Sequence, residues 1–307
     1  MFEEIAFVIV PVLLMAGVGY AISRSSLDID SESIGRLVVM VGTPSLVFST
    51  LTSPDLPELS LSGTVQAALM VTACAGALSA GFLLLARQPL RSFLPSLTLP
   101  NSGNVGLPVV LLAFGQQGLA IGVAFFFVIA LLQYSFVPAI MDGRFSLTRI
   151  LKEPLVYALL AVFLFRLTDT TPHPIILQTT ELLGGMMIPV MVILLGYSLG
   201  QLQVSDLRLS LILALARIVI GTTSGLLVIW LLGLKGVEAG SVFLMASMPC
   251  AMVIYLFALR YNRAPRRVAG LVVVSTLMTF SVLPVLLWIG IAISKGNLPF
   301  LGFLGGV

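Results

Sequence analysis

The residues best suited to chemistry lie in one short polar segment, Asn101 to Pro108, in the middle of an apolar run. The segment reads Asn-Ser-Gly-Asn-Val-Gly-Leu-Pro. Because Pro108 lacks a backbone donor and Gly103 and Gly106 loosen the chain, we expect a helix to be broken here. The amides of Asn101 and Asn104 are costly in hydrocarbon without partners. The segment is therefore the first candidate for a binding site.

A helix broken at this segment would favour an anion. The half-helix that starts after Pro108 would present free backbone N–H groups and the positive end of its dipole. A second break is predicted at Ser247 and Pro249, near the middle of another apolar run. Two such starts that face each other would hold a small anion such as a carboxylate. The alternative is a pair of proline kinks whose backbone groups are satisfied by neighbouring helices.

Three further polar side chains lie inside apolar runs. Gln133 and Tyr134 precede Pro138 by about one turn and could line the same site or join two helices. Arg217 stands about ten residues into a run, where an unpaired charge costs about 2.5 to 3.5 kcal/mol. Three roles are open for it: an ion pair with Glu181, contact with the substrate, or extension of its side chain to the membrane surface.

The sequence lacks the motifs of common enzyme and pump classes. It has one histidine, His173, and neither a phosphate-binding GxxxxGK[ST] nor an HExxH motif. Its two cysteines, Cys74 and Cys250, have no neighbouring metal-ligand types. We therefore expect no enzyme, no ATP-driven pump, no metal site and no cofactor, and leave coupling to Na⁺ or H⁺ open.

The elements that carry these residues must cross a membrane. Of 307 residues, 58% are apolar and 9% charged, against roughly 25% charged in soluble domains. We predict an all-α integral membrane protein with ten transmembrane helices, since apolar runs of about 20 residues recur along the chain. The predicted spans are 5–23, 34–52, 62–86, 91–114, 118–140, 154–168, 174–199, 208–233, 237–259 and 266–293.

Lysine and arginine residues predict the orientation of these spans. Twelve of the 16 fall in the loops and span ends of one side, three on the other side, and Arg217 lies deep inside a span. Because cytoplasmic loops accumulate these residues, we place both termini outside the cytoplasm, with the chain in a bacterial inner membrane. The net charge of +3 thus reflects topology, and no nucleic-acid partner is expected.

Recurring prolines and small residues indicate two related halves. Four prolines have counterparts 141 to 146 residues later: Pro11 and Pro154, Pro44 and Pro189, Pro108 and Pro249, Pro138 and Pro284. The pair Gly76 and Ala80 likewise matches Gly221 and Gly225. A half of five spans ends on the side opposite its start, so the second copy must be inverted. The prediction is a 5+5 inverted repeat that brings the breaks of helices 4 and 9 together.

The polar segment also resembles a motif of a transporter family. Asn101 to Pro108 looks like the N-x-G-N-x-G-x-P segment of the auxin efflux carrier family, within the bile acid/auxin transporter superfamily. Thr43-Pro44 and Ser247-Met-Pro249 fit as well, and the chain looks like a bacterial-type member. The plant carriers have an acidic and a basic residue early in the third span, where this chain has Ser62, Thr64 and Gln66. Auxin is therefore not the expected native substrate.

The resemblance implies a fold with two kinds of domain. A scaffold would comprise 1–60 and 154–204 and form a homodimer through spans 1, 2, 6 and 7. A transport domain would comprise 61–153 and 205–293, with crossing broken helices, followed by a short tail, 294–307. Family members hold the substrate carboxylate at the crossing, which implies such roles for Asn101, Asn104, Pro108 and Pro249.

The leading hypothesis is a secondary transporter of a small organic anion that works by elevator-type alternating access. Its partners would be the lipid bilayer and a mono- or dicarboxylate such as malonate, malate or an auxin-like acid. The alternative is a membrane sensor or receptor that binds a lipid or metabolite in the same pocket without transport. The predicted substrate-binding residues are Asn101, Gly103, Asn104, Gly106, Pro108, Gln133, Tyr134, Arg217, Ser247 and Pro249.

Overall fold

The structure is a computed structural model that describes residues 2–27, 29–53, 61–143, 151–168 and 170–297. Helices account for 84% of it, and no strand occurs within these ranges. The helices are α1 (Phe2–Ser23), α2 (Ser31–Thr52), α3 (Leu61–Leu85), α4 (Leu90–Thr98), α5 (Ser102–Asp142), α6 (Pro154–Leu167), α7 (Pro174–Gln201), α8 (Leu207–Leu232), α9 (Gly236–Ser247), α10 (Val253–Arg260) and α11 (Pro265–Ser294).

Seven of these helices are long and apolar enough to cross a membrane: α1, α2, α3, α5, α7, α8 and α11. Large apolar side chains on them are exposed, such as Leu85 at 88% and Leu182 at 80%. Lipid accommodates such surfaces, whereas a soluble protein rarely exposes them in large patches. The predicted all-α class is confirmed. The count of ten spans and the inverted repeat stay predictions.

Helix α5 consists of two helical parts joined at a kink at Gly115. This glycine has φ 64° and ψ −151°, a conformation that residues with a side chain rarely adopt. The bend lies between the predicted fourth span, 91–114, and the predicted fifth, 118–140. Glycine is therefore required here to turn one continuous run of helix into two segments.

The chain forms two compact units. The first unit comprises Met1–Val10, Leu61–Phe145 and Leu202–Val307, and the second comprises Pro11–Ser60 and Ser146–Gln201. Helices α3 to α5 and α8 to α11 thus lie in the first unit, and α2, α6 and α7 in the second. The predicted tail 294–307 is described only as far as residue 297, and the remainder lies outside the described residues.

Helix α8 is central to the first unit, where it packs against α3, α4, α9 and α11. Two of its glycines allow close contact with α9. A Cβ on Gly221 would overlap the carbonyl oxygen of Ala246, and one on Gly225 would lie 3.1 Å from the Ala246 side chain. Small residues at this spacing let helix backbones approach each other. The end of α9 is thereby held directly against the middle of α8.

In the second unit, glycines bring α1 and α7 into backbone contact. A Cβ on Gly19 would overlap the carbonyl oxygen of Ile193, and one on Gly196 would overlap that of Ala16. No movement of a flexible side chain relieves either overlap, because the clashing atoms belong to the main chain. This helix pair therefore depends on both glycines.

We predict that Gly19→Ala destabilises the protein, because the new methyl group must push the backbone of α7 away. Overpacking of this kind costs about 1 to 3 kcal/mol. Gly17→Ala is the matched control, since a Cβ there meets nothing within 4 Å. Thermal unfolding of the detergent-purified variants should show a lower Tm for Gly19→Ala only. Equal melting temperatures for the two variants would contradict the close contact.

Candidate functional site

The two predicted breaks meet in the first unit. Residues 99–101 separate α4 from α5, and residues 248–252 separate α9 from α10. The two non-helical stretches pair in antiparallel fashion. The amide N of Asn101 donates to the carbonyl of Pro249 at 2.8 Å. The four half-helices therefore form a crossing, in which two helices end and two begin.

Arg217 of α8 binds the two helix ends at this crossing. Its Nη1 donates to the carbonyl of Leu97 at 3.0 Å, and its Nη2 donates to that of Ala246 at 2.9 Å. Leu97 lies in the last turn of α4 and Ala246 in the last turn of α9. Carbonyls in a last turn have no partner within their own helix. One guanidinium thus caps both carbonyl ends.

The burial and hydrogen bonds of Arg217 can be compared with the three roles proposed for it from the sequence. The side chain is 1% exposed, so it does not extend to a membrane surface. Both Nη groups donate to main-chain carbonyls, and only Nε lacks a partner among the described residues. Glu181, the carboxylate considered as its partner, is exposed and belongs to the second unit. The two hydrogen bonds make Arg217 a helix-capping group.

The start of α5 carries unpartnered polar atoms. Asn101 precedes the helix, and its Oδ1 accepts from the backbone N of Asn104 at 3.3 Å. Its Nδ2 has no hydrogen-bond partner in the described part of the chain, although the residue is only 4% exposed. The buried hydroxyls of Ser102 and Thr98 are also without partners there. Three of the nine buried side-chain atoms that lack a partner among the described residues are therefore these groups at the crossing.

The predicted start of the second half-helix was wrong. We expected unwinding up to Pro108, whereas the helix begins at Ser102 and passes through Pro108 without a break. Its first turn is wide, because the N of Gly106 donates to the carbonyl of Asn101, five residues earlier, at 3.1 Å. The N-terminal end of the helix is thus about two turns nearer to the crossing than expected.

The two glycines of the segment are required by close packing. A Cβ on Gly103 would lie 2.9 Å from the ring of Phe126, and one on Gly106 would lie 2.7 Å from the Met245 sulfur. Met245 belongs to α9, so Gly106 keeps the start of α5 against the other broken helix. These residues shape the crossing but offer no side-chain group to a ligand.

The remaining predicted residues of the crossing differ in burial and in whether their polar groups are already hydrogen-bonded. Asn104 is half-buried at the first turn of α5. The hydroxyl of Ser247 is fully buried and donates to the carbonyl of Phe243 at 2.7 Å, so its proton is already used. Pro249 contributes its carbonyl to the bond with Asn101. Asn101 and Asn104 therefore remain the main polar side chains at the start of α5.

Tyr134 and Gln133 lie on the second part of α5. The Tyr134 ring packs edge-on against Phe257 of α10, with ring centroids 6.0 Å apart. Gln133 is buried. The ring contact is a helix-to-helix contact, so the role of these two residues in binding stays a prediction.

Reasoning from the sequence missed Ser275 of α11. Its hydroxyl accepts from the backbone N of Cys250 at 3.2 Å and donates to the carbonyl of Val272 at 3.2 Å. It thereby supports the non-helical stretch between α9 and α10. The sequence feature that could have predicted this role is the position of the serine within an apolar span, because a hydroxyl there needs a hydrogen-bond partner.

Two hydroxyls of α11 donate to carbonyls of their own helix. Thr276 donates to the carbonyl of Val272 at 2.7 Å, and Ser281 to that of Leu277 at 2.9 Å. The described residues contain no group of three or more His, Cys, Asp or Glu side chains able to hold a metal ion.

We predict that Arg217→Met lowers the stability of the protein by about 2 to 4 kcal/mol, because two buried carbonyls lose a charged donor. Arg208→Met is the control, since Arg208 is exposed on the same helix. Surface substitutions usually change stability by less than about 0.5 kcal/mol. Thermal unfolding and expression yield measure both effects. An Arg217→Met variant as stable as the control would show that Arg217 does not hold the crossing.

Comparison with known proteins shows that the chain is similar to transporters. Residues 143–289 match the profile of a family described as membrane transport protein. An uncharacterized transporter of Methanothermobacter thermautotrophicus is 26% identical over 297 residues, which cover 91% of this chain and 96% of the relative. An uncharacterized transporter of Methanocaldococcus jannaschii is 25% identical over 301 residues, with coverage of 92% and 96%.

The family match and the motif come from different parts of the chain. The match begins after α5, so it does not include the segment from Asn101 to Pro108. Both relatives align over nearly the whole chain and are described as transporters. The chain is thus similar to a membrane transport protein family over residues 143–289, and to two proteins described as uncharacterized transporters over nearly its whole length.

Proposed function

We propose that this protein is a secondary transporter of a small organic anion, whose carboxylate binds at the crossing in the first unit. The observation that carries the proposal is that two helices start at the crossing, where buried polar groups have no partner among the described residues. Arg217 caps the carbonyl ends of α4 and α9. The start of α5 keeps polar groups without partners among the described residues, the Nδ2 of Asn101 and the hydroxyl of Ser102.

The starts of α5 and α10 supply the attraction for an anion. The first N–H groups of a helix have no partner within it, and the helix dipole makes that end positive. In α5 the Asn101 side chain occupies the N of Asn104 and leaves the earlier N–H groups for a ligand. At the start of α10, Met252 and Val253 are half-buried. A carboxylate accepts several N–H donors at once, which suits such a site.

Movement of the first unit as one body would provide alternating access. Its compactness supports this proposal, because the whole crossing and the helices around it belong to that unit. The second unit, with α2, α6 and α7, would then be the static scaffold and the surface of a homodimer. We place the protein in the bacterial inner membrane with both termini outside the cytoplasm, as the distribution of Lys and Arg favours.

The substrate we propose is a mono- or dicarboxylate such as malonate, malate or an auxin-like acid. The third helix supports a substrate other than auxin. At the position where the plant carriers have charged residues, Thr64 is fully buried and donates to Glu238 at 2.9 Å. This hydroxyl joins α3 to the start of α9, so it is occupied by a structural contact.

Uptake into proteoliposomes tests the proposal. Labelled mono- and dicarboxylates, with auxin included, are offered under imposed Na⁺, H⁺ and voltage gradients. We expect saturable uptake of at least one carboxylate, and the gradient that drives it identifies the coupling ion. Binding without flux for every acid in the panel would instead favour a sensor or receptor. Absence of both binding and flux would contradict the proposal.

The same assay locates the site through Asn104. We expect Asn104→Ala to abolish uptake, because it removes an amide at the first turn of α5, and to leave the melting temperature close to that of the wild type. Asn297→Ala is the control, since Asn297 is exposed after the end of α11. Normal uptake by Asn104→Ala would place the substrate site elsewhere.

A further inference from the structure

The positive charge of Arg217 can be compared with the partial negative charges of the two helix ends to which it donates. A helix C-terminus carries about −0.5 of an elementary charge, so the ends of α4 and α9 together carry about −1. The Arg217 guanidinium carries +1 and donates to a carbonyl of each end. The arginine and the two ends therefore compensate each other, which explains how a charged side chain is tolerated with 1% exposure.

The opposite side of the crossing then offers a limited positive charge. The starts of α5 and α10 contribute about +0.5 each, or about +1 together. The side chains available at the start of α5 are the amides of Asn101 and Asn104 and the hydroxyl of Ser102, all of them neutral. Among the buried residues that the structure describes, Arg217 is the only Arg, Lys, His, Asp or Glu. The site thus matches a single negative charge.

We infer that this site selects singly charged carboxylates and discriminates against dicarboxylates of the same size. The inference rests on the proposed function and narrows its substrate class. A second carboxylate would have to lose part of its hydration without gaining a cation, which is unfavourable in a buried setting. Amide or hydroxyl groups on the ligand can instead bond to the neutral side chains of Asn101, Ser102 and Asn104.

The inference also assigns a role to Arg217. Because both of its Nη groups donate to main-chain carbonyls, it acts as a positioning residue. It fixes the two carbonyl ends together and cancels their charge, which leaves the two helix starts to attract the anion. The substrate carboxylate is bound by those starts and the adjacent amides.

Matched pairs of ligands test the charge preference directly. Malonate is compared with its monoamide malonamate, and succinate with succinamate, because each pair has nearly the same size and differs by one charge. Binding is measured by calorimetry and by the shift in Tm of the purified full-length protein at neutral pH. We expect each monoamide to bind at least about tenfold more tightly than its dicarboxylate, since an uncompensated charge is costly.

Acidification provides a second test on the same ligands. As the pH falls through the second ionisation of the dicarboxylate, its singly charged form accumulates, and its apparent affinity should rise toward that of the monoamide. Equal or tighter binding of the dicarboxylates at neutral pH would overturn the charge preference and leave carboxylate transport intact. No binding of these four acids, together with no uptake of any acid in the wider panel, would overturn the proposed function itself.

Two substitutions test the role of Arg217. For each variant, the affinity for the monoamide is divided by the affinity for the matching dicarboxylate. Arg217→Lys keeps the positive charge, so the preference for the monoamide should persist. Arg217→Gln leaves the negative helix ends uncompensated, so binding of both ligands should weaken, and that of the dicarboxylate should weaken more. An unchanged ratio and unchanged affinities in a folded Arg217→Gln variant would contradict the electrostatic role. If that variant does not fold, the wild-type ligand pairs still decide the inference.

Discussion

Two helices that end inside an apolar interior leave carbonyl groups that neither water nor their own helix can satisfy. In this protein the problem is solved by one side chain, since Arg217 donates to Leu97 at the end of α4 and to Ala246 at the end of α9. The close approach of α8 at Gly221 makes the contact with α9 possible. The same hydrogen bonds also stabilise the buried charge of the arginine, because the two helix ends carry the opposite partial charge.

This arrangement gives the crossing two chemically different sides. On one side the carbonyl ends are bonded and neutralised. On the other side the helix starts retain their dipoles, and Asn101 and Ser102 keep polar groups that have no partner among the described residues. The main-chain bond from Asn101 to Pro249 holds the two sides in register. We propose that an anion site follows from this backbone arrangement and that the side chains adjust its selectivity.

Much of this was accessible from the sequence. The two breaks were predicted from Asn101 to Pro108 and from Pro249, because proline, glycine and amide residues are out of place in an apolar span. The start of α5 at Ser102 was not predicted, because the wide first turn of this helix leaves no compositional signal. The partners of Arg217 are main-chain carbonyls from distant segments. A search for complementary side chains, which led to Glu181, could not find them.

A structure with a bound brominated monocarboxylate tests the central claim most directly, because anomalous scattering locates the bromine without reference to the surrounding atoms. We expect one peak at the crossing, with the carboxylate within hydrogen-bond distance of the Asn101 amide and the start of α5. Elsewhere in the first unit, an open pocket of about 600 Å³ is lined in part by Arg266, Arg267 and Asp206. A peak there, with none at the crossing, would contradict a carboxylate site at the crossing.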